Sequence, residues 1–578
     1  MLYAFDMNDF YCIFVLKLIM ESSKLILYIQ IMNKKMFKIL LIVILLPMVQ
    51  SAGQVAVGDG FKPIHNDTFW NTSDGRPLYS QGGGIFRFAD PQTGRERYYW
   101  YGMRYKGAEE YRNDPTVTVE HAVFSAVTCY SSDNLTDWHY EGDVLTRDEV
   151  EKHGSGGWMG RLGVVYIKEK RQYALFVQHS NSDGAGVLIA TSDNPTGQFR
   201  WAWRKDMTKM IGTPNTGDQT VFTDDDTGRS YLVYSYGRGR NKIYVSEIGI
   251  VNDSIDLIDC TQIFRGASRE GNCMFKYKGK YYMCASNIYG WDGSYAYYLM
   301  ADDIRGPYLP TNDMQVMKGC ESDYAHVSQT GFFYTLRGTK QETVIYCGDR
   351  WADFAGNGLG YNQWVPLSFD GDEPRFNSLS SWSLNAVTGE WRVGSDNNYV
   401  LNGSFEADRR SIPNPVKPRQ DFLLGWHTTV IKGCRVAVDD SLSPRLNHMN
   451  TREDRRHVIG EKSLCISDSL MPFVRRVSQT VASTPTIPLP DGVYTMRARV
   501  RRKGRFSRLE MYAVSAGRRQ SYKIKPSMTS WTTISIDRVH VSGGSVEIGF
   551  WADGVAGAEC LVDDVELVQY DASAGLSE

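Results

Sequence analysis

The sequence predicts an all-β protein, a five-bladed β-propeller followed by a jelly-roll-like β-sandwich, and three observations carry that reading. First, an aromatic or apolar strand recurs five times, as Tyr98–Gly102, Gln172–Val177, Ser230–Tyr234, Lys280–Cys284 and Thr343–Cys347. Each is followed by a partner strand: Thr128–Asp133, Val187–Asp193, Lys242–Ser246, Tyr298–Asp302 and Trp364–Ser368. Second, the units lie about 50 to 75 residues apart, which suits four-stranded blades with insertions and is too long for leucine-rich or helical repeats. Third, few stretches sustain a helical period, which argues against an α/β barrel.

At 578 residues the chain is too long for one ordinary core. The blades span 61–393. Polar turn formers at Gly394-Ser395-Asp396-Asn397-Asn398 close them, and a second strand set occupies 399–570. There the alternation in Val493–Val500 marks half-exposed sandwich strands. Asp571–Glu578 reads as a frayed tail.

Ahead of the blades, Met32–Lys38 is a positive n-region, Ile39–Val49 an apolar stretch and Gln50-Ser51-Ala52-Gly53 a small-residue cleavage site. Residues 1–52 are therefore expected to be an extension plus signal peptide, with the true start at Met32. The expected location is secreted or periplasmic, with no membrane span in the mature protein, because the apolar stretch is short for a span. A net charge of −2 points to neither nucleic acid nor an anionic membrane as partner. Nine cysteines follow the signal with irregular spacing and no CxxC pair. That excludes a zinc or redox motif, and most of them read as small buried hydrophobes. Abundant Tyr and Trp suit either strand packing or stacking on sugar rings. Oligomeric state is left open.

The chemistry concentrates where polar residues head apolar strands. Glu270 leads into Gly271–Tyr277, with a tight turn at Lys278-Gly279, and is a candidate general acid. Asp218 holds the matching place one unit earlier, so both side chains are expected in one central funnel. Two carboxylates confined together raise each other's pKa, which keeps one protonated for acid work. Asp224, Asp225 and Asp226, in the following turn, read as local backbone acceptors.

Glu270-Gly271, Asp218 ahead of Phe222-Thr223-Asp224-Asp225-Asp226 and the five units resemble glycoside hydrolase family 43 over roughly residues 61 to 393. Gly348-Asp349-Arg350-Trp351 and Gln363–Leu367 resemble the last blade of its galactan-cleaving branch. The resemblance implies that Glu270 is the general acid and that Asp218 orients it and tunes its pKa. It also implies a third carboxylate on the first innermost strand, but Gln81-Gly82-Gly83-Gly84 stands there and the base is missing. In the family's exo-β-1,3-galactanase branch, which also lacks that base, a Gln positions water, and His326-Val327-Ser328-Gln329-Thr330 matches that segment. Gln329 takes this role by resemblance, with Glu109, Glu110 or Glu120 as the alternative source of a carboxylate. Substrate contacts are expected from Trp291, Trp158, Trp351, Arg350, Gln81 and His326.

By this resemblance the chain is a secreted exo-acting glycosidase removing terminal galactose from plant-type β-1,3-galactan or arabinogalactan with inversion. No cofactor or catalytic metal is required. Met103 and Gly160 depart from the galactanase pattern and point to the alternative of an α-L-arabinofuranosidase or β-D-galactofuranosidase. The missing base points to an alternative of another class, a non-catalytic carbohydrate-binding propeller. In the C-terminal domain, Asn402–Glu406, Gly425-Trp426 and Val562–Val565 resemble sugar-binding sandwich modules, with a purely structural cap as the alternative; the resemblance suggests structural calcium at the start and close of the sandwich.

Overall fold

Segments such as Tyr173–Val177 are apolar on both faces of a strand, so each needs cover on both sides, and the fold supplies it by stacking sheet against sheet. The computed structural model describes residues 59–113, 122–154, 157–288, 294–311, 313–320, 328–352, 357–405, 425–434, 445–447 and 463–570. After β1 (Lys62–His65), five antiparallel sheets follow in chain order. Blade 1 is β2 (Gln81–Ala89), β3 (Glu96–Tyr105), β4 (Phe124–Ser132) and β5 (His139–Thr146). Blade 2 is β6 (Trp158–Ile167), β7 (Gln172–Asn181), β8 (Gly184–Ser192) and β9 (Arg200–Lys205). Blade 3 is β10 (Thr216–Asp224), β11 (Arg229–Tyr236), β12 (Lys242–Val251), β13 (Ser254–Leu257) and β14 (Thr261–Arg265). Blade 4 is β15 (Glu270–Tyr277), β16 (Lys280–Ser286), β17 (Tyr297–Ala301) and β18 (Gln315–Val316). Blade 5 is β19 (Gln329–Arg337), β20 (Glu342–Ala352), β21 (Asn357–Asp370) and β22 (Glu373–Phe376).

The first strands β2, β6, β10, β15 and β19 each touch the next, and β19 returns to β2, so they form the ring around the axis. The five aromatic segments read from the sequence are the second strands, one step out. There they are covered by neighbours in the sheet and by the adjacent blades, which is why their apolar runs are nearly continuous.

Closure joins blade 5 to blade 1. Trp100 of β3 and Trp364 of β21 meet at 4.9 Å between ring centroids, with Trp70 and Trp138 packed against them. Asn66, just after β1, donates to the carbonyls of Trp364 and Leu379 and accepts from Trp364 N–H. β1 itself pairs with β23 (Ser381–Leu384), which continues to β24 (Trp391–Val393), so the two ends of the propeller share one sheet.

The C-terminal domain is a sandwich of two five-stranded sheets. Its strands are β25 (His427–Lys432), β26 (Arg445–Asn447), β27 (Ser463–Ser467), β28 (Phe473–Ala482), β29 (Gly492–Lys503), β30 (Phe506–Ser515), β31 (Arg518–Lys523), β32 (Thr532–Val541), β33 (Ser545–Gly554) and β34 (Glu559–Gln569). The sheet orders are β25-β28-β33-β30-β31 and β26-β27-β34-β29-β32. The Asn402–Phe405 motif is structural here: Phe405 is buried, Trp426 Nε1 donates to the Asn402 carbonyl, and Val565 N–H donates to Gly403. The opening and the close of the sandwich are thereby tied together. All nine described cysteines are free and seven are buried, as small hydrophobes in strands would be. Among the described residues no helix is long and apolar enough to cross a membrane.

Trp364→Ala should cost about 3–5 kcal/mol, because it empties the closure cluster at a fully buried indole. Chemical denaturation measures it, and a loss below about 1 kcal/mol would show that the blade 5–blade 1 joint is not held by this cluster.

Candidate active site

All five innermost strands are irregular near their starts. Register against the second strand slips between Gln81 and Gly84, Met159 and Leu162, Thr216 and Gln219, Glu270 and Cys273, and Thr330 and Phe332. Such bulges bend a strand and re-aim the neighbouring side chain. Glycine makes the close approach possible. Gly271 has φ +61°, and a Cβ there would come within 2.5 Å of the Thr330 carbonyl oxygen of the next blade. One polar residue per blade thus comes to the same end of the axis: Gln81, Arg161, Asp218, Glu270 and Gln329, all buried.

Arg161 is the centre of this group. Its Nε donates to Asp218 Oδ2 at 3.1 Å, Nη1 to Asp349 Oδ2 at 2.9 Å, and Nη2 to Gln329 Oε1 at 2.6 Å. Gln329 Oε1 also accepts from Trp351 Nε1 at 2.9 Å, and Gln329 Nε2 donates to Glu270 Oε1 at 2.8 Å. Asp218 Oδ2 accepts from Gly271 N–H at 2.7 Å, which fixes the peptide next to Glu270. Arg240 donates to Glu270 Oε2, and its Nη2 lies 3.5 Å from Asp218 Oδ1. Gly82 N–H donates to Asp349 Oδ1 at 3.0 Å.

The electrostatics follow from these contacts. Burial pushes the Asp218 carboxyl up, but Arg240, Arg161 and the Gly271 amide outweigh it and hold Asp218 below the ordinary carboxylate range. The mutual raising expected of two neighbouring carboxylates is therefore corrected for Asp218, because two guanidinium groups reach it. Asp349 goes the other way: burial raises it, and Arg161 and the Gly82 amide only partly compensate. Burial would lower Arg161, but Asp349 and Asp218 raise it above its ordinary value, so it stays charged.

Asp218 and Glu270 therefore share one funnel, as read from the sequence, and Gln329 joins them. Gln81 lies beside them, its Nε2 3.5 Å from the Arg350 carbonyl oxygen, and Arg350 is itself buried. Trp351 is buried and backs Gln329 and Arg161, while Trp158 stands exposed at the head of β6. Trp291 and His326 lie outside the described residues, as does Glu120. Glu109 and Glu110 are exposed on a short helix, Ala108–Asn113. Asp224 accepts from Asp226 N–H and Thr227, as a turn aspartate should, and also binds Lys276 and Tyr281. Among the described residues no group of three or more His, Cys, Asp or Glu could hold a metal ion.

Sequence reasoning passed over Arg161, Asp349 and Arg240. A glycine beside the polar residue at four of the five blade starts, as in Gly160-Arg161 and Gly217-Asp218, was the available signal for the first. Asp349 lies within the Gly348–Trp351 segment that carries the resemblance, where its carboxylate was given no role, and for Arg240, in the loop between β11 and β12, the sequence holds no signal.

Residues 98–358 match Glycosyl hydrolases family 43, and the chain carries a domain of that glycoside hydrolase family. Among solved structures, an exo-β-1,3-galactanase from Phanerochaete chrysosporium with β-1,3-galactotriose is 18% identical, covers 88% of this chain and 100% of its own, and has a TM-score of 0.50. An exo-β-1,3-galactanase from Clostridium thermocellum is 18% identical over 89% of this chain and 100% of its own, with a TM-score of 0.48. A family 43 β-1,3-galactosidase with galactodeoxynojirimycin is 21% identical over 54% of this chain and 97% of its own, with a TM-score of 0.43. Comparison with curated protein sequences finds no match.

Arg161→Met should destabilise the fold by about 3–5 kcal/mol, because it leaves Asp218 and Asp349 buried without their shared cation. Denaturation at pH 7 measures it. A loss under about 1 kcal/mol would mean that the carboxylates find water or another donor.

Proposed function

We propose that the chain is a secreted, exo-acting glycosidase that removes terminal galactose from β-1,3-galactan or arabinogalactan with inversion. The observation that carries the reading is the junction of blades 3, 4 and 5, where the Gln329 amide donates to Glu270 and Asp218 fixes the Gly271 peptide beside it. Sequence resemblance to the galactan-cleaving branch supports the sugar and the linkage. In this reading Glu270 gives its proton to the glycosidic oxygen as the C1–O bond breaks. Asp218, kept ionised by its arginines, holds the Gly271 peptide and so aims Glu270. Gln329 holds the attacking water through its remaining Nε2–H, since its Oε1 already takes two donors. Orientation of this kind supplies a large part of a barrier reduction.

A second reading for the base rests on one observation. Gly82, at the place where the family's base would stand, donates to the Asp349 carboxylate. Asp349 then takes the water's proton, and its raised carboxyl is suited to doing so.

Incubation with β-1,3-galactan, and with arabinogalactan before and after removal of arabinose, should release galactose. Release of arabinose or galactofuranose instead moves the substrate to the alternative, and binding without turnover makes the propeller a lectin-like module. Glu270→Gln should lower kcat on β-1,3-galactobiose by about 100- to 10,000-fold while sparing an activated aryl galactoside. Azide tells the two bases apart: it should restore turnover of an activated substrate to Asp349→Ala if Asp349 is the base, and should leave that variant unrescued if Gln329 acts by positioning.

A further inference from the structure

Hydrogen-bond direction around Glu270 is determined by groups that can only donate. Arg161 Nη2 and Trp351 Nε1 have no acceptor function, so the Gln329 atom facing both is Oε1 and its Nε2 faces Glu270. Glu270 Oε1 therefore accepts. Its other oxygen, Oε2, takes a bond from the Arg240 guanidinium, again a pure donor. Both oxygens accepting is the arrangement of a carboxylate, the spent form of a general acid.

The cation on Oε2 has a second seat. Arg240 Nη2 lies 3.5 Å from Asp218 Oδ1, while Asp218 Oδ2 is occupied by Arg161 and Gly271 N–H. The Arg240 backbone is anchored, since its carbonyl accepts from Arg269 N–H beside Glu270 and its N–H donates to Tyr236. Its side chain is 30% exposed, against 7% for Glu270 and 10% for Asp218, so it is the member of the trio that solvent reaches. Among the described residues, the charged groups around Glu270 include Arg240 on its Oε2, Asp218 by way of Arg240 and the Gly271 peptide, Arg161 through Gln329, and Asp349 beyond Arg161. Arg269, next in the chain, turns to Asn287 and Asp313.

We propose that Arg240 is a two-position positioning residue: it sits on Glu270 in the free enzyme and moves wholly onto Asp218 when the sugar is seated. The inference rests on Glu270 being the general acid. As Arg240 leaves, Glu270 Oε2 takes one proton from solvent. When the C1–O bond breaks, its electron pair goes to the leaving oxygen, which takes that proton. Water forms the new C1–O bond and returns one proton to solvent, so the cycle balances. The regenerated carboxylate then draws Arg240 back.

The test is the pH dependence of β-1,3-galactobiose hydrolysis by the full chain and by Arg240→Gln. kcat/KM reports the free enzyme and kcat the complex. The basic limb of kcat/KM should move to higher pH by about 1 unit or more in Arg240→Gln, the usual effect of removing an adjacent opposite charge. The basic limb of kcat should stay in place, because Arg240 has already left Glu270 in the complex. An unmoved kcat/KM limb, or two limbs that move together, would overturn the proposal. Should Arg240→Gln not fold, Arg240→Lys serves, with a single-point donor in place of the planar fork. The same limb should then move up by less, and an unmoved limb again overturns it. Glu270→Gln separates this inference from its premise. Wild-type turnover of galactobiose by that variant removes the acid assignment, whereas an inactive Glu270→Gln with an unmoved Arg240→Gln limb removes only the role of Arg240.

Discussion

The buried guanidinium of Arg161 is the interaction on which the rest of the funnel depends. It lies on blade 2 and binds Asp218 of blade 3, Gln329 and Asp349 of blade 5, and the carbonyl of Gly331. Carboxylates taken out of water at one point repel, and each would protonate or draw in solvent without a fixed cation. A planar fork with five donors satisfies them in separate directions at once, which an ammonium cannot do. The same group sets the amide of Gln329, and through it the bonding of Glu270. The geometry of the funnel and its local stability are thus carried by one side chain.

The propeller explains how residues 57 to 188 positions away in sequence come to share the Arg161 guanidinium. A four-stranded blade places its first strand at the axis, and a bulge with an adjacent glycine turns one side chain per blade into the funnel. The cost is borne at the joint between first and last blades, where the tryptophan cluster and Asn66 replace a covalent closure.

Much of this was legible in the chain. The aromatic strands stood out because second strands are buried on all sides, so their apolar character is uninterrupted from Tyr173 to Val177 and from Tyr231 to Tyr234. Glu270 and Asp218 stood out as polar heads of apolar strands, and Gln329 through the resemblance of the segment around it. Asp349 did not, because it lies inside β20 and reaches the axis only through the register Gln329↔Asp349. Arg240 comes from the loop between β11 and β12 and is placed by folding alone. The pKa logic failed at Asp218 for the same reason: a carboxylate pair can be read from spacing, but the arginines that reach it come from other elements. Asn402–Phe405 and Val562–Val565 were read as a sugar-binding signature, and their contacts with each other give them a structural task first.

Inversion with water held by a neutral amide in place of a catalytic base is the central claim, and the anomeric form of the galactose freed from the cleaved bond tests it most directly. Proton NMR during the first minutes of aryl β-galactoside hydrolysis, in which every galactose comes from the cleaved bond, should show α-galactose appearing ahead of its mutarotation partner. β-Galactose appearing first would mean a covalent intermediate and a nucleophilic carboxylate on the sugar's far face, and would contradict the account.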